Sequence, residues 1–68
     1  MTMWEEYLEI NKKIVDEGIR RKSLIRSVMR ESDMDEGKFL CYQIKMSAEY
    51  SERLEKKSKE IFKLIMGN

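Results

Sequence analysis

Residues 38–66 read KFLCYQIKMSAEYSERLEKKSKEIFKLIM, a stretch without proline or glycine that predicts one long α-helix. Positions spaced alternately by four and three residues form the heptad seam of a coiled coil, occupied by Leu40, Ile44, Ser47, Ser51, Leu54, Ser58, Ile61 and Ile65. Small serines in such a seam let a neighbouring helix approach closely or accept a large ring. We therefore expect a second helix that brings a bulky side chain, such as Trp4 or Tyr7, against the serines.

The residues before this stretch predict two shorter helices. The first runs from about Thr2 to Glu17, with Thr2 as N-cap, Glu5 as its capping-box partner and Gly18 as the C-terminal stop. The second runs from about 20 to 31 and ends before a turn over 32–37, where Ser32 or Asp33 caps the long helix. Helical spacing predicts the apolar positions that face the core, which are Met3, Trp4, Tyr7, Leu8, Ile10, Ile14, Val15, Leu24, Ile25, Val28 and Met29.

These elements predict an all-α fold in one domain over residues 1–68, with two shorter helices packed against one long C-terminal helix. Placed end to end, the two shorter helices match the long helix, which spans roughly 45 Å at 1.5 Å per residue. A slight bend at Gly18 gives a helical hairpin in which the N-terminal aromatics reach the apolar end of the long helix. A reversal at Gly18 gives a small three-helix bundle whose last two turns need another subunit. A homodimer is expected in both cases.

Composition limits the class of protein. One cysteine and no histidine exclude an internal disulfide and leave no usual zinc ligand set, so we expect no metal and no cofactor. Cys41 lacks an activating base and is expected to be a small core residue, and no catalytic motif is present, so we expect a protein that is not an enzyme. The lone thiol, with no secretory or membrane-spanning segment, indicates a cytoplasmic protein.

A basic run is the most distinctive local signal. Residues 20–30 contain five cations and no acid, namely Arg20, Arg21, Lys22, Arg26 and Arg30. Lys22, Arg26 and Arg30 form one stripe that could follow a phosphate backbone or an acidic protein surface. The stripe could equally be neutralised by the first helix, which carries five acidic and two basic residues. A helix-turn-helix is disfavoured, because the following helix begins with the apolar residues 39–42.

Aromatic side chains near both termini are the other candidate binding groups. Trp4 and Tyr7 lie near the N-terminus, and Phe62 and Ile65 lie near the C-terminus. Residues of these types anchor protein interfaces. The sequence therefore predicts a small helical interaction protein that regulates or inhibits a larger protein partner through these four apolar anchors and the five cations of residues 20–30. The alternative is a dimeric nucleic-acid-binding regulator that uses the basic helix 20–30.

Overall fold

The computed structural model describes residues 1–67, which form two α-helices joined by a short loop. Helix α1 covers Met3–Arg30, and helix α2 covers Met34–Ile65. The helices run antiparallel, because Arg21 hydrogen-bonds Ser51 whereas the earlier residue Asn11 hydrogen-bonds the later residue Ser58. The product is a helical hairpin of 51 × 16 × 14 Å. The all-α prediction is confirmed, but the prediction of three helices is wrong.

The two shorter predicted helices are one continuous helix that passes through Gly18. A glycine inside a helix costs about 1 kcal/mol relative to alanine, which the packing of a long neighbouring helix can offset. The α1 seam runs through the glycine without a change of spacing, at Tyr7, Ile10, Ile14, Glu17, Arg21, Leu24 and Val28, all buried or half-buried. The alternative of a reversal at Gly18, which would give a three-helix bundle, is wrong. As the hairpin alternative predicted, the N-terminal aromatics reach the C-terminal end of the long helix. Helix α1 is nevertheless continuous through Gly18.

Both helix starts follow the predicted capping chemistry. The Thr2 hydroxyl accepts a hydrogen bond from the Glu5 backbone N–H at 3.1 Å, and the Glu5 carboxylate accepts one from the Thr2 backbone N–H at 3.4 Å. At α2, the Asp33 carboxylate accepts from the backbone N–H groups of Asp35 and Glu36, at 2.9 and 3.4 Å. These caps satisfy N–H groups that have no partner within their helices, so they fix where each helix begins.

The predicted α2 seam is confirmed, since all eight of its positions are buried or half-buried. Its serines, however, do not serve mainly to receive aromatic rings. Ser47 and Ser51 hydrogen-bond Arg21, and Ser58 hydrogen-bonds Asn11. Tyr7 does lie in a groove beside Ser58, but Trp4 stays 56% exposed. Polar side chains of α1 therefore occupy most of the space that the small residues leave.

Several residues expected in the core are exposed. They are Met3, Trp4, Leu8, Val15, Ile25, Met29 and Cys41. A hairpin of two helices shares only one seam, so an apolar residue outside that stripe has nothing to cover it. Among residues 1–67, Ile10 and Ile61 are the only buried apolar residues, each 6% exposed. In the same residues, neither helix contains an apolar stretch that could cross a membrane.

Candidate functional site

A polar layer crosses the seam near the middle of the hairpin. The Arg21 guanidinium donates to the Ser51 hydroxyl at 2.8 Å, to the Ser47 hydroxyl at 3.3 Å and to the Ser47 carbonyl at 3.4 Å. Ser47 is 2% exposed and Ser51 is 4% exposed. Arg21 was predicted as a partner contact, and the structure shows that its guanidinium bridges α1 to α2.

Glu17 lies one helical turn before Arg21 in the same layer. Its carboxylate accepts a hydrogen bond from Arg20 at 2.7 Å. Hydrogen bonding to the Ser47 hydroxyl makes the largest contribution to lowering the pKa of Glu17, and Arg20 and Arg21 lower it further against the opposing effect of burial. The layer therefore holds an anion and a cation together between the two helices.

A second polar layer lies nearer the termini. The Ser58 hydroxyl donates to the Asn11 side-chain oxygen at 3.2 Å, and the Asn11 amide donates to the Tyr7 carbonyl at 2.7 Å. Polar groups that hydrogen-bond between two paired helices fix their register, because any shift would leave the buried groups without a partner. The two layers thus specify how α1 and α2 align.

The hairpin leaves three of the five predicted basic contacts as an exposed stripe. Arg20 is paired with Glu17, and Arg21 is held in the seam, as described above. Lys22, Arg26 and Arg30 are exposed, and their spacing of four residues places them in a row along α1.

The Trp4 face is an apolar surface on one side of the hairpin. It follows a second series of heptad positions on α1, which are Trp4, Leu8, Asn11, Val15, Gly18, Lys22, Ile25 and Met29. Its five large apolar side chains are exposed, from Ile25 at 43% to Met29 at 81%. The series spans almost the whole of α1, so this helix presents one apolar stripe to α2 and another to solvent.

Three of the four predicted apolar anchors come together at the end of the hairpin that holds the termini. The Trp4 and Tyr7 rings stack with centroids 5.7 Å apart, and the Tyr7 and Phe62 centroids are 6.0 Å apart. Tyr7 and Phe62 also line an open groove of about 530 Å³. Ile65, the fourth anchor, is half-buried at the end of the α2 seam. The aromatic cluster therefore extends the Trp4 face onto α2.

The Tyr42 face is a second apolar surface, and its residues on α2 are Phe39, Tyr42, Gln43, Met46 and Tyr50. An open groove of about 380 Å³ is lined by Tyr42, Gln43, Met46 and Tyr50 of this face together with Glu17, Arg20 and Ser47. None of the four apolar anchors predicted from the sequence lies on this face. The signal for it was present, since 39, 43, 46 and 50 follow heptad spacing beside the α2 seam.

The two faces lie on opposite sides of the hairpin. Glu6 of α1 pairs with Lys57 of α2 at 3.8 Å along one edge of the seam, and Lys57 is one heptad from Tyr50 of the Tyr42 face. Trp4 precedes Glu6 by two residues, which rotates it about 200° around the helix. The body of the hairpin therefore separates the two apolar faces.

No group of three metal-ligating side chains comes together among residues 1–67. Comparison with protein-family models, curated proteins and solved structures finds no match to this chain. The two exposed apolar faces are therefore the features on which a function can be argued.

Proposed function

We propose that this protein is a non-catalytic helical interaction module that binds a larger protein partner through the Tyr42 face and so regulates or inhibits it. The observation that carries the proposal is the exposure of Phe39, Tyr42, Met46 and Tyr50 as a row beside the seam. Aromatic residues and methionine are enriched in the cores of protein interfaces, and exposed patches of them mark partner sites. Exposed Cys41 also suits a reducing cytoplasm, where we place the protein.

The edge of the Tyr42 face on α1 indicates what kind of protein surface would fit. Heptad spacing places Arg20, Ser23, Ser27 and Arg30 along this edge. Arg20 is paired with Glu17, which lines the same groove, whereas Arg30 is exposed. A partner helix that carries an apolar stripe with an acidic residue placed to meet Arg30 would match this surface.

The test is site-specific photocrosslinking in extracts of the source cells. A benzoylphenylalanine in place of Met46 samples the Tyr42 face, and one in place of Lys56 samples the polar outer side of α2 as the control. We expect a discrete protein to crosslink to position 46 and not to position 56. Replacing Tyr42 and Tyr50 together by alanine should then weaken that complex by at least about 30-fold while the hairpin stays folded, as expected for two interface anchors.

Nucleic-acid binding is the alternative, and the observation that favours it is the exposed row of Lys22, Arg26 and Arg30. Three phosphate contacts would make the affinity fall steeply as salt rises, whereas a complex anchored by the Tyr42 face should change little. Binding of a short duplex that is lost at moderate salt and in the Arg26→Ala/Arg30→Ala variant would replace the proposed function by this alternative.

A further inference from the structure

We infer that the Trp4 face binds the same face of a second copy of this chain, with the two α1 helices antiparallel. The two-fold axis crosses α1 between Asp16 and Glu17, at the middle of the apolar series. A second copy is the occupant that the charges and the spacing of α1 favour. This pairing uses the side of the hairpin opposite the Tyr42 face, so it does not depend on the proposed function.

The Trp4 face is complementary to itself in the antiparallel direction. Rotation about the axis places Trp4 opposite Met29 of the second copy, Leu8 opposite Ile25, Asn11 opposite Lys22, and Val15 opposite Gly18. Large apolar side chains therefore meet each other toward both ends of the interface, a polar pair follows, and the residue without a side chain lies at the centre. Self-complementarity of this kind is what a two-fold interface requires.

Gly18 is the second observation that points to close approach of another helix. A Cβ at Gly18 would meet nothing within 4 Å, so the packing of this hairpin does not require glycine there. Glycine is unfavourable inside a helix, and helix pairs use it where their backbones come close. At the crossing point, its absent side chain leaves room for Val15 of the second copy.

The charges of α1 are arranged for the same pairing. Its first half, to Glu17, holds five acidic and two basic residues, whereas residues 20–30 hold five basic residues and no acid. An antiparallel pair places each acidic half along the basic half of the other copy, and a parallel pair would oppose like charges. Glu5 and Arg26 lie beside the apolar series. Measured along the helix axis, Glu5 of one copy lies within about 3 Å of Arg26 of the other.

The exposed apolar area of the Trp4 face is large for so small a hairpin. Trp4, at 56% exposure, leaves about half of the roughly 150–250 Å² of an aromatic side chain uncovered, and four large aliphatic side chains add to it. A specific interface needs a total of roughly 1,000 Å², to which both copies contribute this surface. The neighbouring Phe62 ring adds to this area.

A charge-swap cycle on the full chain tests the pairing, with dissociation constants measured by sedimentation equilibrium at low salt. Glu5→Arg and Arg26→Glu should each weaken the dimer by about tenfold, and the double variant should recover most of that loss. Within one chain the two residues are 21 positions apart on one helix, about 31 Å, so they cannot interact directly. Coupling between them must therefore act between copies. Lys56→Glu, which changes the charge by the same amount as Arg26→Glu on the outer side of α2, should leave the constant unchanged.

The cycle also controls for the part that Glu5 plays in the capping box of α1. Glu5→Arg and the double variant lose the capping box equally, so their comparison reports only the cross-copy charges. Gly18→Leu tests the pairing without changing any charge. This variant should be a monomer whose helix content is at least as high as that of the wild type. A monomeric wild type at about 100 μM, an absence of coupling in the cycle, or a Gly18→Leu dimer as tight as the wild type would overturn the inference. Alanine at Tyr42 and Tyr50 should not affect the dimer.

Discussion

Replacing Arg21 by alanine should destabilise the hairpin more than any exposed substitution. The change leaves the buried Ser47 and Ser51 hydroxyls without the guanidinium that they accept from, and it removes one of the two cations that lower the pKa of Glu17. A hydrogen bond to a charged group contributes about 1.5–3 kcal/mol, and only the bond to Ser51, at 2.8 Å, is short. We therefore expect a loss of about 2–3 kcal/mol, which in a chain of this size lowers Tm by roughly 10–20 °C.

The measurement is urea unfolding followed by far-UV circular dichroism at one fixed protein concentration, because association would change the apparent stability. Arg53→Ala is the control, since Arg53 is an exposed arginine on α2 and its loss should cost no more than about 0.5 kcal/mol. A variant that combines Arg21→Leu with Glu17→Leu, Ser47→Ala and Ser51→Ala should regain the wild-type stability, because an apolar layer needs no polar partners. A loss below about 0.5 kcal/mol for Arg21→Ala, or no recovery in this quadruple variant, would refute this account of the layer.

Three further predictions follow from the same structure. Because the pKa of Glu17 is lowered on folding, its contribution to stability is present above the ordinary value of 4.5 and is lost as the pH falls through the lowered value. Glu17→Gln should therefore destabilise the protein at pH 7, and urea titrations at successively lower pH should show this loss shrinking below pH 4.5. Gly18→Ala should raise the unfolding free energy of the monomer by about 0.5–1 kcal/mol, as measured at concentrations below dimer formation, and a lower value would mean that Gly18 is in contact within the hairpin. Cys41 should react with a maleimide in the native protein at nearly the rate seen in urea; protection by more than about tenfold would contradict its exposure.

The α2 helix could be predicted from the sequence because its signals are local and agree with each other. Asp33 marks the start, no residue interrupts the helix after Gly37, and the heptad spacing of the seam continues to Ile65. Capping of α1 by Thr2 and Glu5 was predictable for the same reason.

The prediction of α1 was wrong because a local signal and a long-range one disagreed. Gly18 resembles a helix end, and the polar residues Glu17 and Arg21 on either side of it interrupt the apolar pattern of the seam. Their role becomes clear only when the serines of α2 lie opposite them, at sequence separations of 26 and 30 residues. The spacing of residues along one helix does not show this role, because a buried polar residue is stabilised by hydrogen-bond partners that lie elsewhere in the sequence.

The candidate site was partly predictable. The clustering of Trp4, Tyr7 and Phe62 followed from their positions near the two ends of the chain, once the ends are brought together. The Tyr42 face could not be predicted as a binding surface, because residues such as Phe39 and Met46 are core residues in most folds. They are exposed here because a two-helix hairpin has no third layer to cover them.

The short connection between the helices determines the order in which this chain should fold. Contacts beside the loop close the smallest segments, whereas the Arg21–Ser51 and Asn11–Ser58 hydrogen bonds join residues 30 and 47 positions apart. Since the entropy lost in closing a segment grows with its length, pairing is least costly when it starts at the loop and advances toward the termini. The two helices should therefore pair first beside residues 31–33 and last at the termini. The fluorescence of Trp4, at the far end from the loop, should report the last step of folding.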